Sequence, residues 1–199
     1  MKKTLTGFIA AAIVAMGIAS ASAAPAQIIL IRHGEKPAEG NQLNDQGFAR
    51  AKALVPYFQN NIDVTKYGTP VAIYAMGQKG STGSVRPIQT VTPLAQALGL
   101  TLDTDYLKTD YDGLVNSVLG NKAYDGKMVL ICWEHNAIPD IVATFSSTTN
   151  TPAAVASTLP TAWDGDAFDR TWILNLSASG QITSFQDLPQ HIMPGDSDK

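Results

Sequence analysis

Two histidines, two arginines and two acids stand at or beyond the ends of apolar runs in this sequence, a set suited to phosphoryl chemistry. Residues 28–31 are four consecutive aliphatics, and Arg32, His33, Gly34 and Glu35 follow them directly. A second run, MVLICW at 128–133, ends in Trp133 and leads into Glu134 and His135. Arg86 lies in SVRPIQT, beyond a third run at 71–76. Two guanidiniums make a planar, permanently positive cradle for a tetrahedral oxyanion. A neutral imidazole held between them can attack phosphorus, and a second can hold the equatorial oxygens as negative charge shifts. Backbone N–H groups around Gly34 and at a helix start add donors, and Gly34 lets the chain turn closely around a bound group. Each residue alone has a plainer role: His33 a strand-end cap, Arg86 a helix-terminal charge, His135 a partner for Glu134, Trp133 core packing. Convergence of four such groups is what favours a site. A metal reading takes His33, Glu35 and His135 as ligands, but two nearby arginines would repel the cation.

The elements that must position these residues are legible as alternating runs. Apolar, β-branched stretches at 27–31, 71–76, 128–133 and 170–176 read as strands. Helical spacing follows the first at 44–61, with Asn44 as cap and Pro56 as a kink or an early end. The second helix is expected from Pro87 to Leu98, stopping at Gly99, and a third from Ile138 to Phe145. Strand and helix in alternation, with strands apolar throughout, predict a three-layer α/β/α domain with a mostly parallel mixed sheet. ILNLSASGQITSF reads as a hairpin at the sheet margin, turning at Ser179 and Gly180. Ligands of such sheets bind beyond the carboxyl ends of the strands, where His33 and His135 would meet if their strands are parallel neighbours. The segment from about 100 to 125 reads as a short substrate cover with a polar middle at 109–113.

RHGE at 32–35, SVRPIQTVTPLAQALG at 84–99 and WEH at 133–135, in that order, resemble the histidine phosphatase superfamily, which has the phosphoglycerate mutase-like fold. The resemblance spans roughly residues 27–189. It implies that His33 is the nucleophile that becomes phosphohistidine, that Arg32 and Arg86 bind the phosphoryl oxygens, and that His135 completes the pocket. It implies no metal and no cofactor, with water finishing the hydrolysis. The general acid does not follow from it, because Asn136 occupies the position after His135 where some members carry an acid. Glu134 is the first candidate, as the acid or as a carboxylate behind the site. Asp103, Asp105, Asp110 and Asp112 are others, and Glu35 is expected to orient an arginine or a substrate hydroxyl. Gly34, Glu35 and Trp133 are the expected substrate-binding residues.

The remaining features bound the setting. Lys2 and Lys3, an apolar run and Ala21-Ser22-Ala23 read as a signal peptide over 1–23. The apolar part is shorter than the roughly 20 residues of a spanning helix. Cleavage after Ala23 or Ala24 leaves a single domain over 24–199, periplasmic or secreted, meeting the membrane only during export. The chain has 14 basic and 17 acidic residues with no basic run, which argues against nucleic acid as a partner. Cys132 is the sole cysteine, expected to be a buried, inert thiol. The leading function is hydrolysis of a small phosphomonoester. The alternatives are a non-catalytic phosphate or phospho-ligand binder of the cell envelope, a protein recognising phosphorylated envelope surfaces, and a phosphomutase.

Overall fold

A computed structural model describes residues 24–197, so the expected signal peptide lies outside the described residues. The chain runs β1 (Gln27–Arg32), α1 (Asp45–Asn60), β2 (Ala72–Ala75), α2 (Arg86–Leu98), β3 (Leu102–Asp103), α3 (Tyr111–Gly120), a 3₁₀ turn at Lys122–Tyr124, β4 (Met128–Trp133), α4 (Ile138–Thr148), α5 (Ala153–Ala156), β5 (Arg170–Leu176) and β6 (Ile182–Pro189). The six strands form one sheet in the order β3-β2-β4-β1-β5-β6. The first four are parallel, while β5 and β6 add an antiparallel margin.

Alternation along the central strands divides the core into two layers, because successive side chains point to opposite faces. Ile28, Leu30, Val129 and Ile131 pack with Leu114, Val115 and Val118 of α3 and Ile138, Ile141, Val142 and Phe145 of α4. Ile29, Ile31, Leu130 and Cys132 pack against Leu54 and Phe58 of α1 and Val91 and Leu94 of α2. Helices therefore cover both faces of a mixed, mostly parallel sheet, as the run of apolar strands predicts.

Local rules set the helix ends. The Asn44 side chain accepts from the Gly47 N–H at 2.9 Å and starts α1. Gly99, at φ 66°, closes α2 in the left-handed conformation. Pro56 neither ends nor divides α1, which runs unbroken to Asn60. It sits on the exposed face, where water can satisfy the carbonyl that its missing N–H releases. The hairpin turns at Gly180, φ 85°, as expected. The segment read as a substrate cover is different. Its centre is α3, whose Leu114, Val115 and Val118 are fully buried, so it is mainly part of the core layer. Cys132 is fully buried, and burial pushes its thiol well above the usual range.

Candidate active site

Strand β1 lies beside β4 in parallel, with Arg32 opposite Trp133. The ladder continues one step further, as the His33 N–H donates to the Trp133 carbonyl at 3.0 Å. The two strands thus release His33 and His135 at the same end of the sheet. His33 is nearly buried, and its Nδ1 lies 2.7 Å from the Gly34 carbonyl. A carbonyl only accepts, so Nδ1 carries the proton and the Nε2 lone pair is free. Burial, reinforced by the charges of Arg32, Arg86 and His135 and opposed by the Gly34 bond, pushes the imidazole down to about 4. His33 is neutral at pH 7. Burial is also the main cause of a lowered His135 pKa, with Arg32 adding to it and Glu134 opposing.

The loop after β1 is locked from three sides. The Gly34 N–H donates to Thr90 Oγ1 at 2.9 Å, and that hydroxyl donates to the Arg86 carbonyl at 2.8 Å, which ties the first turn of α2 to the His33 loop. A Cβ on Gly34 would come within 3.0 Å of the Gly47 backbone, and one on Gly47 within 2.3 Å of the Glu35 carbonyl. Glycine at 34 thus serves close approach to α1 rather than to a bound group. The Glu35 carboxylate receives Arg50 through Nε at 3.0 and 3.1 Å and Nη2 at 2.7 Å. Arg50 also reaches both carboxylate oxygens of Asp196, at 2.6 and 3.1 Å. Burial alone would lower the Arg50 pKa, but Asp196 and Glu35 together raise it.

The two arginines are held differently, by loop carbonyls. Arg32 is buried, with Nη1 donating to Gly165 O at 2.6 Å and to Ala167 O at 3.2 Å. Its guanidinium carbon lies 3.7 Å from the centre of the Phe168 ring, and its buried Nε has no hydrogen-bond partner among the described residues. Desolvation lowers its pKa to about 10, against Asp166, Glu134, Glu35 and Asp164 in that order, so it is cationic at pH 7. Arg86 is half-buried and donates through Nε to Gln42 O at 3.1 Å, through Nη1 to Ser84 Oγ at 3.3 Å, and through Nη2 to Gly40 O. A guanidinium has five N–H donors, so donors remain for a ligand.

No family model matches the sequence, and no curated protein matches it. Solved structures do. The chain is similar to a protein histidine phosphatase SixA complexed with tungstate, at TM-score 0.53 and 15% identity over 82% of this chain and 97% of that one. It is similar to a phosphoglycerate mutase from Plasmodium falciparum, at TM-score 0.51 and 14% identity over 87% of this chain and 96% of that one. The three-layer α/β/α architecture is the phosphoglycerate mutase-like fold. The chain is also similar to a mycobacterial glucosyl-3-phosphoglycerate phosphatase, at TM-score 0.50 and 13% identity over 81% of this chain and 96% of that one.

Within this fold the expected residues divide into two groups. Arg32, His33, Arg86 and His135 converge closely enough that the other three all act on the His33 imidazole. The other four have structural duties. Glu35 is turned to Arg50, which matches its expected use in orienting an arginine and removes its carboxylate from the ligand set of the metal reading. Trp133 is fully buried and donates its indole N–H to the Lys108 carbonyl at 3.0 Å, so it is core packing and does not wall the pocket. Gly34 packs on α1. Glu134 is paired with Lys108 Nζ at 2.6 Å, and as an ion-paired carboxylate it accepts rather than donates. Asp110 caps α3 through the Gly113 N–H, and Asp103 accepts from the Asp105 N–H.

Several contributors carry no assigned role in the sequence reading. Thr90 and Gln89 belong to the RPIQT stretch; Gln89 accepts from the Leu43 N–H at 2.9 Å and holds the loop that Arg86 grips. Arg50 and Asp196 offer no local signal. The segment Asp164 to Phe168 is a polar DGD turn between aromatic residues, and only that pattern marks it. Beside the site, across this segment, lies a cavity of about 760 Å³ lined by Asp166, Phe168, Arg170 and Trp172.

Proposed function

We propose that this chain hydrolyses small phosphomonoesters through a phosphohistidine formed on His33. The observation that carries the reading is the state of that imidazole: neutral, nearly buried, with Nδ1–H fixed on the Gly34 carbonyl and Nε2 left as the nucleophilic atom. Arg32, Arg86 and His135 bind the phosphoryl oxygens, and the two permanent charges compensate the negative charge that builds as the P–O bond loosens. A metal is not required for this chemistry. The solved relative complexed with tungstate, a tetrahedral oxyanion, supports an oxyanion cradle on this fold. The leader read at 1–23 supports action outside the cytoplasm.

A second reading has its own support: with Glu134 committed to Lys108, a site lacking any proton donor would hold phosphate without turning esters over. One experiment separates the two. Phosphate release is measured in the presence of a chelator, beside His33→Ala, and the protein is quenched in alkali to trap an acid-labile phosphohistidine. Turnover and trapping that vanish together in the variant support the phosphatase. Phosphate affinity without turnover or trapping supports the binder.

A further inference from the structure

We infer that Asp166 is the general acid of this site, delivered by the segment Asp164 to Phe168 that straps over Arg32; the inference rests on the phosphatase reading. The strap is fixed by contacts on both sides of residue 166. Gly165 O and Ala167 O both accept from Arg32 Nη1, at 2.6 and 3.2 Å. Phe168 covers the guanidinium and lies 6.2 Å, ring to ring, from His33. A Cβ built on Gly165 would stand 3.7 Å from His135 Nε2. The chain on either side of Asp166 therefore touches two of the four proposed phosphoryl-binding groups, and Asp166 itself is exposed.

Four carboxylates surround Arg32: Asp166, Glu134, Glu35 and Asp164. Glu35 is buried under Arg50, and Glu134 is held by Lys108. Asp164 accepts the Asp166 N–H at 2.9 Å and so closes the turn of the strap. Among the described residues none donates to the Asp166 carboxylate. In-line attack by a nearly buried His33 sends the leaving oxygen toward solvent, away from the sheet, and Asp166 is exposed, as a donor to an outward-leaving oxygen must be.

The step balances. Nε2 of His33 forms the P–N bond, the P–O bond to the leaving group breaks with its electron pair on oxygen, and the Asp166 carboxyl gives that oxygen its proton. The alcohol leaves and a carboxylate remains. Water then attacks phosphorus, the carboxylate takes a proton from it, and the P–N bond breaks to return neutral His33 and inorganic phosphate.

The test compares phosphate release from an alkyl and a nitrophenyl phosphate by the purified chain, Asp166→Asn, Asp166→Glu, Asp164→Asn and His33→Ala, with thermal unfolding as the check on folding. Asp166→Asn is expected to lower kcat/KM on the alkyl ester by about 100-fold or more and to leave the nitrophenyl ester within a few-fold. It is also expected to flatten the limb of the alkyl pH profile on which the acid deprotonates. Asp166→Glu should restore part of the alkyl activity, and Asp164→Asn should not separate the two esters. Equal losses on both esters, or undiminished alkyl turnover, overturn the assignment. Wild-type release no greater than that of His33→Ala fails differently: it removes the phosphatase reading, and the acid with it.

Discussion

The loop that carries His33 and the segments that hold the two arginines sit side by side, yet they are built in opposite ways. The His33 loop is fastened by buried side chains: Thr90 on the Gly34 N–H, Arg50 on Glu35, and glycine against glycine at 34 and 47. Arg32 and Arg86 are gripped mainly by backbone carbonyls of Gly165, Ala167, Gly40 and Gln42. An arginine that trades a carbonyl for a phosphate oxygen keeps an acceptor, and a released loop carbonyl finds a donor where water reaches it. A buried ion pair has no such substitute. The His33 loop is therefore held by bonds that nothing replaces, while the arginines hold bonds that an oxyanion could replace.

The sharpest way to break this contrast is at His33, the proposed nucleophile. His33→Ala should lower turnover by about 10⁴-fold or more, by analogy with the removal of other single nucleophiles, measured as phosphate release; residual activity close to wild type would end the reading. Next comes the fastening. Arg50→Met leaves Glu35 and Asp196 buried without their partner and should cost about 3–5 kcal/mol in denaturant unfolding. A loss below about 1 kcal/mol would mean that the His33 loop does not depend on this pair. At the gripping side, Arg86→Ala should weaken phosphate inhibition by about 10- to 100-fold, the worth of a charged hydrogen bond, with little change in unfolding. A large stability loss there would erase the distinction between the two regions.

pH tests the fixed region without mutation. His33 titrates at about 4 in the fold against an ordinary 6.5. Below 6.5 the unfolded chain takes up a proton that the folded chain refuses, so stability falls as the pH drops toward 4; above 6.5 the contribution is fully present. His135 is shifted the same way and adds to the slope. Unfolding between pH 7 and 4 should show this slope, and His33→Ala should flatten it. The smallest effect is expected at Glu134. Its partner Lys108 is half exposed, so Glu134→Gln should cost under about 1 kcal/mol and lower alkyl and nitrophenyl turnover alike. Selective loss on the alkyl ester would move the acid back from the strap to Glu134.

Much of the fold follows from local pattern. The strands at 128–133 and 170–176 occupy the expected residues, and Gly99 ends α2 where a glycine cap should. α3 is harder to see because its buried residues are Leu114, Val115 and Val118, with Tyr111 and Leu119 half-buried, behind a polar start at Asp110 and Asp112. At the site, the order of RHGE, RPIQT and WEH places the four converging groups, since a parallel sheet sends its strand ends to one edge. Contacts made across the chain are not legible in that way. Arg50 finds Asp196 over 146 residues, and Arg32 finds Gly165 over 133. No spacing rule links such pairs, and a charged residue reads as surface until its partner is known.

The bond between Arg50 and Asp196 also sets a timetable. A ribosome adding about 5–20 residues per second delivers Asp196 some 7 to 30 s after Arg50, by which time every strand has been synthesised. The clasp behind the His33 loop is thus among the last contacts a nascent chain can make. A chain stopped short of Asp196 would hold all six strands and all four converging groups, but with Arg50 answered by Glu35 and Gln190 alone.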